Sequence, residues 1–412
     1  MGMLFTVVFF PLLGAAVGRC VGRMQPFLAG AGIAGSVLFL TSLAHVPLPF
    51  TAGAMVVLSL VVVWRKRKPI ATPIRYPRLP TMIAAGFAIW LLAFTAIVPL
   101  DDYDGRAVWL FKAKAIAHEG GVDGPLFRLQ TGVSPRNQYP LLLPIDAALT
   151  MMAGRELDDR HARWLYACLA IGFALEVRRR FASLFSPEVG AWLAAALICL
   201  PAILSPAIGA ASAGCDVALG AFAACAFFEL IEGESPLRFG VWLSFMTLTK
   251  REGLPLAALL LAIGVVAFGQ RIAVALMPLA AALAGLFYWR SYVKPTDEPA
   301  FGGLILDLPR HGRRFAEFLV AFAREPLRFS MWGMLWLAVF VAIVVLLLRR
   351  RWKPVVVTLA IILPMIALYA AVVAVTNWEP DVMYGLAPRL LIHLLGPGLY
   401  ALAAALHVTA AR

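Results

Sequence analysis

Residues 99–121 read PLDDYDGRAVWLFKAKAIAHEGG and place Asp101, Asp102 and Asp104 within four positions, with Trp109 and Lys112 just downstream. Carboxylates this close repel one another unless a cation or a proton-transfer task offsets the repulsion. One acid would suffice to cap a helix, and Asp104, followed by Gly105, is well placed to start one, where free N–H groups and the helix dipole favour negative charge. The chemistry such a group suits is cation binding or proton transfer, with Asp104 weighed as functional ahead of a plain helix cap. Trp109, Lys112, Ala113 and Ile116 fall on one face of the helix that follows. That face suits a helix lying at a membrane interface, with Trp109 at headgroup level and Lys112 free to meet a phosphate.

Four further motifs carry polar groups between apolar runs. In NQYPLLLPI, Pro140 and Pro144 suit a helix that begins at a cavity edge, and Tyr139 is either an aromatic anchor or a ligand contact. Asp216 follows ASAGC and opens a long apolar run, as an N-cap or as an intramembrane functional acid. TLTKREGLPL sets Lys250, Arg251 and Glu252 between two apolar halves, where charges pair locally, line a wet pocket or form a simple turn. Arg389 opens the last apolar run, RLLIHLLGP, and could clamp a phosphate through bidentate bonds or snorkel to the interface. His393, one turn on, reads as a structural histidine. Asp104 and Asp216 are the pair that would hold a divalent cation if the chemistry uses one; no other cofactor is implied.

The elements that position these residues are set by lipid. Of 412 residues, 62% are hydrophobic and 14% charged, more apolar surface than a soluble domain of this length can hide. Candidate spans are 3–22, 27–45, 50–64, 80–100, 162–177, 189–206, 214–231, 239–249, 253–268, 272–290, 329–348, 354–376 and 389–407. The fold class expected is an all-α polytopic membrane bundle of about 12–13 transmembrane helices with interfacial helices on its outer face. The organisation expected is N-terminal spans over 1–78 and a catalytic module over 79–412, with outer loops at 101–138 and 291–328. The segment 139–154 is too short and proline-rich for a full crossing and is expected to be re-entrant. In the second loop, Phe315, Phe318, Leu319 and Phe322 form one stripe of an amphipathic helix.

The net charge of +13 does not point to nucleic acid, because the basic residues cluster in short loops between apolar runs. The six Lys and Arg of 65–78, Arg178–Arg180 and Arg349–Lys353 belong inside, together with Arg19 and Arg23. This orientation puts 101–138 outside and gathers the Asp cluster, SAGCD, TKREG, the 291–328 loop and NWEPDVMYGLAPR on one rim. The five cysteines contain no CxxC pair, and no P-loop, GxGxxG or HExxH motif is present. The N-terminal apolar run, without a basic leader, reads as a first span.

YDGRAVWLFKAKAI, QYPLLLP, AGCDVAL, TKREG and APRLLIHLLGP together resemble bacterial membrane glycosyltransferases of the GT-C class, relatives of the dolichyl-phosphate-mannose protein mannosyltransferases and the lipid A aminoarabinose transferases. The resemblance implies that Asp104 is the acidic residue acting as catalytic base, or as a metal ligand in some members, with Asp101 and Asp102 as near alternatives. A Pro-Leu helix from Tyr139 and a second acidic residue at Asp216 follow. It further implies inverting transfer of a sugar from a polyprenyl-phosphate donor to a cell-envelope glycan, lipid or protein acceptor, at the outer face of the cytoplasmic membrane. The site residues then divide into acids (Asp104, Asp102, Asp101, Asp216) and substrate or phosphate contacts (Trp109, Lys112, Tyr139, Lys250, Glu252, Arg389). The alternatives are a transporter or flippase, or a non-catalytic subunit of a polysaccharide assembly system.

The topology is checked with reporter fusions. Reporters after Lys68 and after Arg350 should be cytoplasmic and one at Asp123 should not; a single compartment for all three would refute the orientation.

Overall fold

The computed structural model describes residues 1–66, 74–128, 136–293, 311–375 and 380–410, with backbone alone at 126, 128, 375, 380–384 and 410. Every regular element among them is helical. The helices are α1 (Gly2–Val21), α2 (Pro26–Leu43), α3 (Leu48–Arg65), α4 (Arg78–Ile97), α5 (Phe111–Glu119), α6 (Leu142–Gly154), α7 (Asp159–Leu184), α8 (Pro187–Ile198) and α9 (Asp216–Glu232). They continue with α10 (Pro236–Thr249), α11 (Gly253–Phe268), α12 (Ala273–Tyr292), α13 (Gly312–Arg324), α14 (Leu335–Leu348), α15 (Trp352–Val375), α16 (Pro380–Ile392) and α17 (Leu395–Ala410). Starts are locally encoded: Ser186 and Ser235 accept from the backbone N–H three residues on, and proline follows each at the first helical position.

Two ends of the bundle are chemically distinct. At one, Arg19 donates to the carbonyls of Val63 and Lys66, and Arg178 lies 4.4 Å from the ring centre of Tyr76. Arg180 pairs there with Glu176, Glu229 and Glu232, and Arg238 with Glu229 and Glu234. At the other end Asp104 meets Arg389, and Arg163 reaches the carbonyls of Val98 and Ala211. Ser42 there accepts from the Val122 amide, and Tyr292 donates to the Asp123 carbonyl. Followed through these contacts, α1–α4, α7–α12, α14, α15 and α17 alternate in direction between the basic end and the carboxylate end.

This is a multi-pass helical membrane protein, although fewer helices qualify on length and apolarity than the 12–13 spans the sequence predicts. Six stretches among the described residues do so, with Gly253–Tyr292 counted as one, and the bent pair Gly385–Ile392 and Leu395–Thr409 makes up to seven. The physical reason is burial. Every residue of α9 from Asp216 to Leu230 is buried among neighbouring helices, so that helix needs neither the length nor the uniform apolarity of a lipid-facing span. Lipid-facing character shows instead on α3 and α4, where Val57, Leu58, Met82 and Ile89 are exposed.

The segment 139–154 makes a shallow excursion. Gln138 bonds Arg251 at the carboxylate end, Leu142 lies against Gly35 midway along α2, and Gly154 returns to His161. All residues of α6 from Leu142 to Met151 are buried, which is the condition for backbone at that depth. One hydrophobic cluster runs from Phe9 to Ala403, so α1 and α2 pack into the same body as the rest. In α13 the predicted stripe is present, with Phe318, Ala321 and Phe322 buried and Arg313 exposed. Arg310 and the rest of 294–310 lie outside the described residues.

In the ion network at the basic end, the pairs of Glu176 with Arg179 and Arg180 are local, at i,i+3 and i,i+4, whereas those of Arg180 with Glu229 and Glu232 join separate helices. Glu176 and Glu229 are fully buried and depend on Arg180 for balance. Removing one member of a buried ion network leaves uncompensated charge. Arg180→Met is expected to lower stability by about 3–5 kcal/mol, read as a fall in the detergent-unfolding midpoint; an unchanged midpoint would show that the network is dispensable.

Candidate functional site

The carboxylate end is assembled from four chain segments. Asp102 ends the connection from α4 and caps the wide π-type turn Asp104–Leu110, accepting from the Gly105 amide at 2.7 Å. Burial and the neighbouring Asp104 raise its carboxyl above the ordinary range, opposed by the Gly105 N–H. Gly105 is required here by close approach: a Cβ would sit 2.0 Å from the carbonyl oxygen of Ser212. That contact seats the Asp104 turn on the loop preceding α9.

The loop itself is tightly specified. Ser212 donates to Gly209 and accepts from Gly214, with Ala213 between them in the left-handed region at φ 57°. Arg163 of α7 holds the Ala211 carbonyl at 2.9 Å. The loop delivers Asp216 to the first position of α9, where the helix dipole favours a carboxylate. Asp216 has no exposed surface and is held by three partners. Lys250 donates to Oδ1 at 2.7 Å, His393 Nε2 lies 3.1 Å from the same oxygen, and Arg389 Nε donates to Oδ2 at 2.9 Å.

Each partner is placed by a break in a helix. Lys250 follows α10 in extended backbone and α11 restarts at Gly253, whose Cβ would clash at 1.9 Å with the Met246 carbonyl. His393 sits at the 59° bend between α16 and α17. Pro397 accounts for that bend, since its ring excludes the carbonyl four residues back and it offers no N–H to it. The other His393 nitrogen lies 2.9 Å from the Tyr369 hydroxyl of α15. Arg389 is 15% exposed and uses Nη1 to bond Asp104, also 15% exposed, across 285 positions of sequence. Arg136 Nη1 stands 3.8 Å from the other Asp104 oxygen.

Beside this cluster Tyr139 is surrounded by cations. Arg251, Lys112 and Arg136 lie 4.8, 5.4 and 5.6 Å from its ring centre. Trp109 packs 5.6 Å from it, centre to centre. The face Trp109, Lys112, Ala113 and Ile116 is buried against α6 rather than lying at an interface. The i, i+3, i+4 pattern that suggests an interfacial helix equally describes a core face, and here packing decides. Lys112 is therefore not at the surface: it is fully buried and its Nζ donates to the Arg136 carbonyl. Glu252 is partly exposed and stands 3.4 Å from Lys250, while Asp101 is exposed beyond the cluster.

The site thus brings together Asp104, Asp216, Lys250, Glu252 and Arg389, with Asp102 as a cap and Trp109, Lys112 and Tyr139 as an adjoining box. Arg389 bridges the gap between Asp104 and Asp216, supplying there the positive charge a divalent cation would bring, so this pair does not fit a metal. Among the described residues no three His, Cys, Asp or Glu side chains come together as a ligand set. Sequence reasoning missed Arg136, Arg163 and Tyr369, none of which stands in a recognisable local pattern. It also missed Asp146, a fully buried carboxyl whose oxygens accept no hydrogen bond among the described residues. Of the five regions expected on one rim, 294–310 and the side chains of 376–384 lie outside the described residues. Comparison with protein families, curated proteins and solved structures finds no match for this chain.

The burial of Asp216 assigns it to holding the cluster. Asp216→Asn would leave Lys250 and Arg389 without their shared counter-charge, at a loss of about 3–5 kcal/mol read from the unfolding midpoint. A variant as stable as the parent would show that the cations do not depend on it.

Proposed function

We propose that the protein is an inverting glycosyltransferase that moves a sugar from a polyprenyl-phosphate donor to a cell-envelope acceptor at the carboxylate end of the bundle. The observation that carries this reading is the Asp104–Arg389 contact: a partly exposed acid and a partly exposed arginine meet beside further cations, in a membrane bundle with lipid-facing sides. A lipid-linked phosphate sugar carries its own leaving group, so the donor asks for apolar helices for its tail and cations for its phosphate.

In the proposed reaction Asp104 Oδ1 takes the proton of the acceptor hydroxyl. The hydroxyl oxygen attacks the anomeric carbon from the face opposite the phosphate. The bond from that carbon to the phosphate oxygen breaks, its electron pair leaves with the phosphate, and configuration inverts in one displacement. Arg136 and Arg251, around Tyr139, together with Arg389, are the groups placed to hold the departing charge, Arg being suited to bidentate contact with phosphate. Asp216, Lys250, His393 and Tyr369 keep Arg389 in position. Positioning and charge stabilisation supply most of the rate, and general base catalysis adds ~10²–10⁴-fold.

Transport of an anionic lipid is the second reading. It predicts polar groups through the membrane depth. Along α9, the stretch between Asp216 and Glu229 reads VALGAFAACAFF, with Cys225 its most polar side chain, and all of it is buried. Polar chemistry is confined to the two ends there, which favours the transferase.

The test is transfer from a panel of labelled polyprenyl-phosphate sugars by the purified chain. Asp104→Asn should reduce transfer by ~10²–10⁴-fold while the unfolding midpoint shifts little, Asp104 being at the rim of the cluster. Undiminished transfer by the variant would remove Asp104 as base, and absence of transfer from every donor by the parent chain would overturn the function.

A further inference from the structure

An open cavity lies at the basic end, and none of its lining residues belongs to the acid cluster. It has a volume of about 550 Å³, opens to the surface, and is bordered by the C-terminal ends of α14 and α17 and the start of α15, with Phe185 beyond α7. Its lining divides into two kinds. Arg350, Arg351, Lys353 and His407 supply positive or protonatable groups, while Phe185, Leu346, Ala404 and Val408 form an apolar wall, with Trp352 and Tyr400 between them. Among the described residues, no carboxylate lines it. Among the described residues, no ion pair or side-chain hydrogen bond engages Arg350, Arg351 or Lys353. This contrasts with Arg180 and Arg238 at the same end, each balanced by glutamates.

The backbone adds a second observation. The end of α14 is closed by Arg351 N–H to the Leu346 carbonyl and Arg350 N–H to the Leu347 carbonyl, with Arg350 left-handed at φ 54°. Glycine is the usual residue at that point of such a helix ending. Here an arginine stands there, and the turn directs the chain so that three basic residues border one cavity. Around it the surface is that of a lipid-facing bundle, with Leu348 77% exposed and Trp352 58% exposed.

We propose that this cavity is a binding site for the phosphate headgroup of an anionic phospholipid, with Arg350, Arg351 and Lys353 on the phosphate and the apolar wall against the upper acyl chains. Basic pockets between transmembrane helices at the end of the bundle have this preference, and Trp352 and Tyr400 are of the amphipathic type that sits at headgroup depth. A free phosphate would be served by the basic residues alone. The apolar half of the lining, Phe185, Leu346, Ala404 and Val408, is what selects the lipid. The proposal does not depend on the transferase reading, since none of these residues belongs to the acid cluster.

The experiment is native mass spectrometry of the full chain in detergent, titrated with dioleoyl-phosphatidylglycerol, with dioleoyl-phosphatidylcholine, and with inorganic phosphate as competitor. Phosphatidylglycerol should be retained in preference to phosphatidylcholine, and millimolar phosphate should not displace it. The triple variant R350G/R351Q/K353Q should lower phosphatidylglycerol affinity by on the order of a hundredfold. If that variant proves unstable, Arg350→Gly alone carries the test, because glycine suits the left-handed turn, and a loss of about fivefold is expected. Equal retention of the two lipids, displacement by inorganic phosphate, or undiminished binding by Arg350→Gly would each overturn the proposal.

Discussion

Asp216 is a carboxylate with no access to water at the first turn of α9, and its charge has to be balanced within the bundle. An isolated ionised acid in such surroundings is costly enough that it would neutralise instead. The balance comes from Lys250, Arg389 and His393, drawn from three other points along the chain. Because each must reach the same two oxygens, the end of α10, the end of α16 and the α16–α17 bend are fixed relative to α9. Arg389 then has a free edge toward Asp104, so the position of the rim acid follows from that of the buried one.

A second consequence is a division of labour between acids that look alike in sequence. Asp102 ties its carboxylate into the Gly105 amide and acts as a cap. Asp216 is consumed by structural pairing. Asp104 keeps partial exposure, with one oxygen on Arg389 and the other 3.8 Å from Arg136, which leaves an atom able to accept a proton. Roles among neighbouring carboxylates are set by environment rather than by residue type, and here the environments differ sharply over a few ångströms.

The two ends of the bundle use charge in opposite ways. At the basic end, Arg180 and Arg238 lock α7, α9 and α10 together through buried glutamates. The cations Arg350, Arg351 and Lys353 at the same end instead line an open cavity. Between the ends, α9 is apolar and tightly packed. Gly220, where a Cβ would lie 2.6 Å from the Ile392 carbonyl, and Gly396, where one would lie 2.8 Å from Ala224, let α9 approach the bent pair closely.

Much of this was legible in the chain itself. Apolar runs separated by basic loops fix a helical membrane protein, because backbone in lipid must bond internally and helices do so segment by segment. The stripe of α13 and the unsuitability of 139–154 for a full crossing are local properties, and local rules find them. The candidate acids and cations were also visible as charges in places where charge is expensive. What only the tertiary structure decided is which of them meet. Asp104 and Arg389 are 285 positions apart, and nothing periodic links them. Burial of the Trp109–Lys112 face, the pairing of Asp216 and the parts played by Arg136, Arg163 and Tyr369 depend on which helix lies opposite. A helical face announces that it will be covered, but not by what, and the partner of a buried charge is chosen by the packing of the whole bundle.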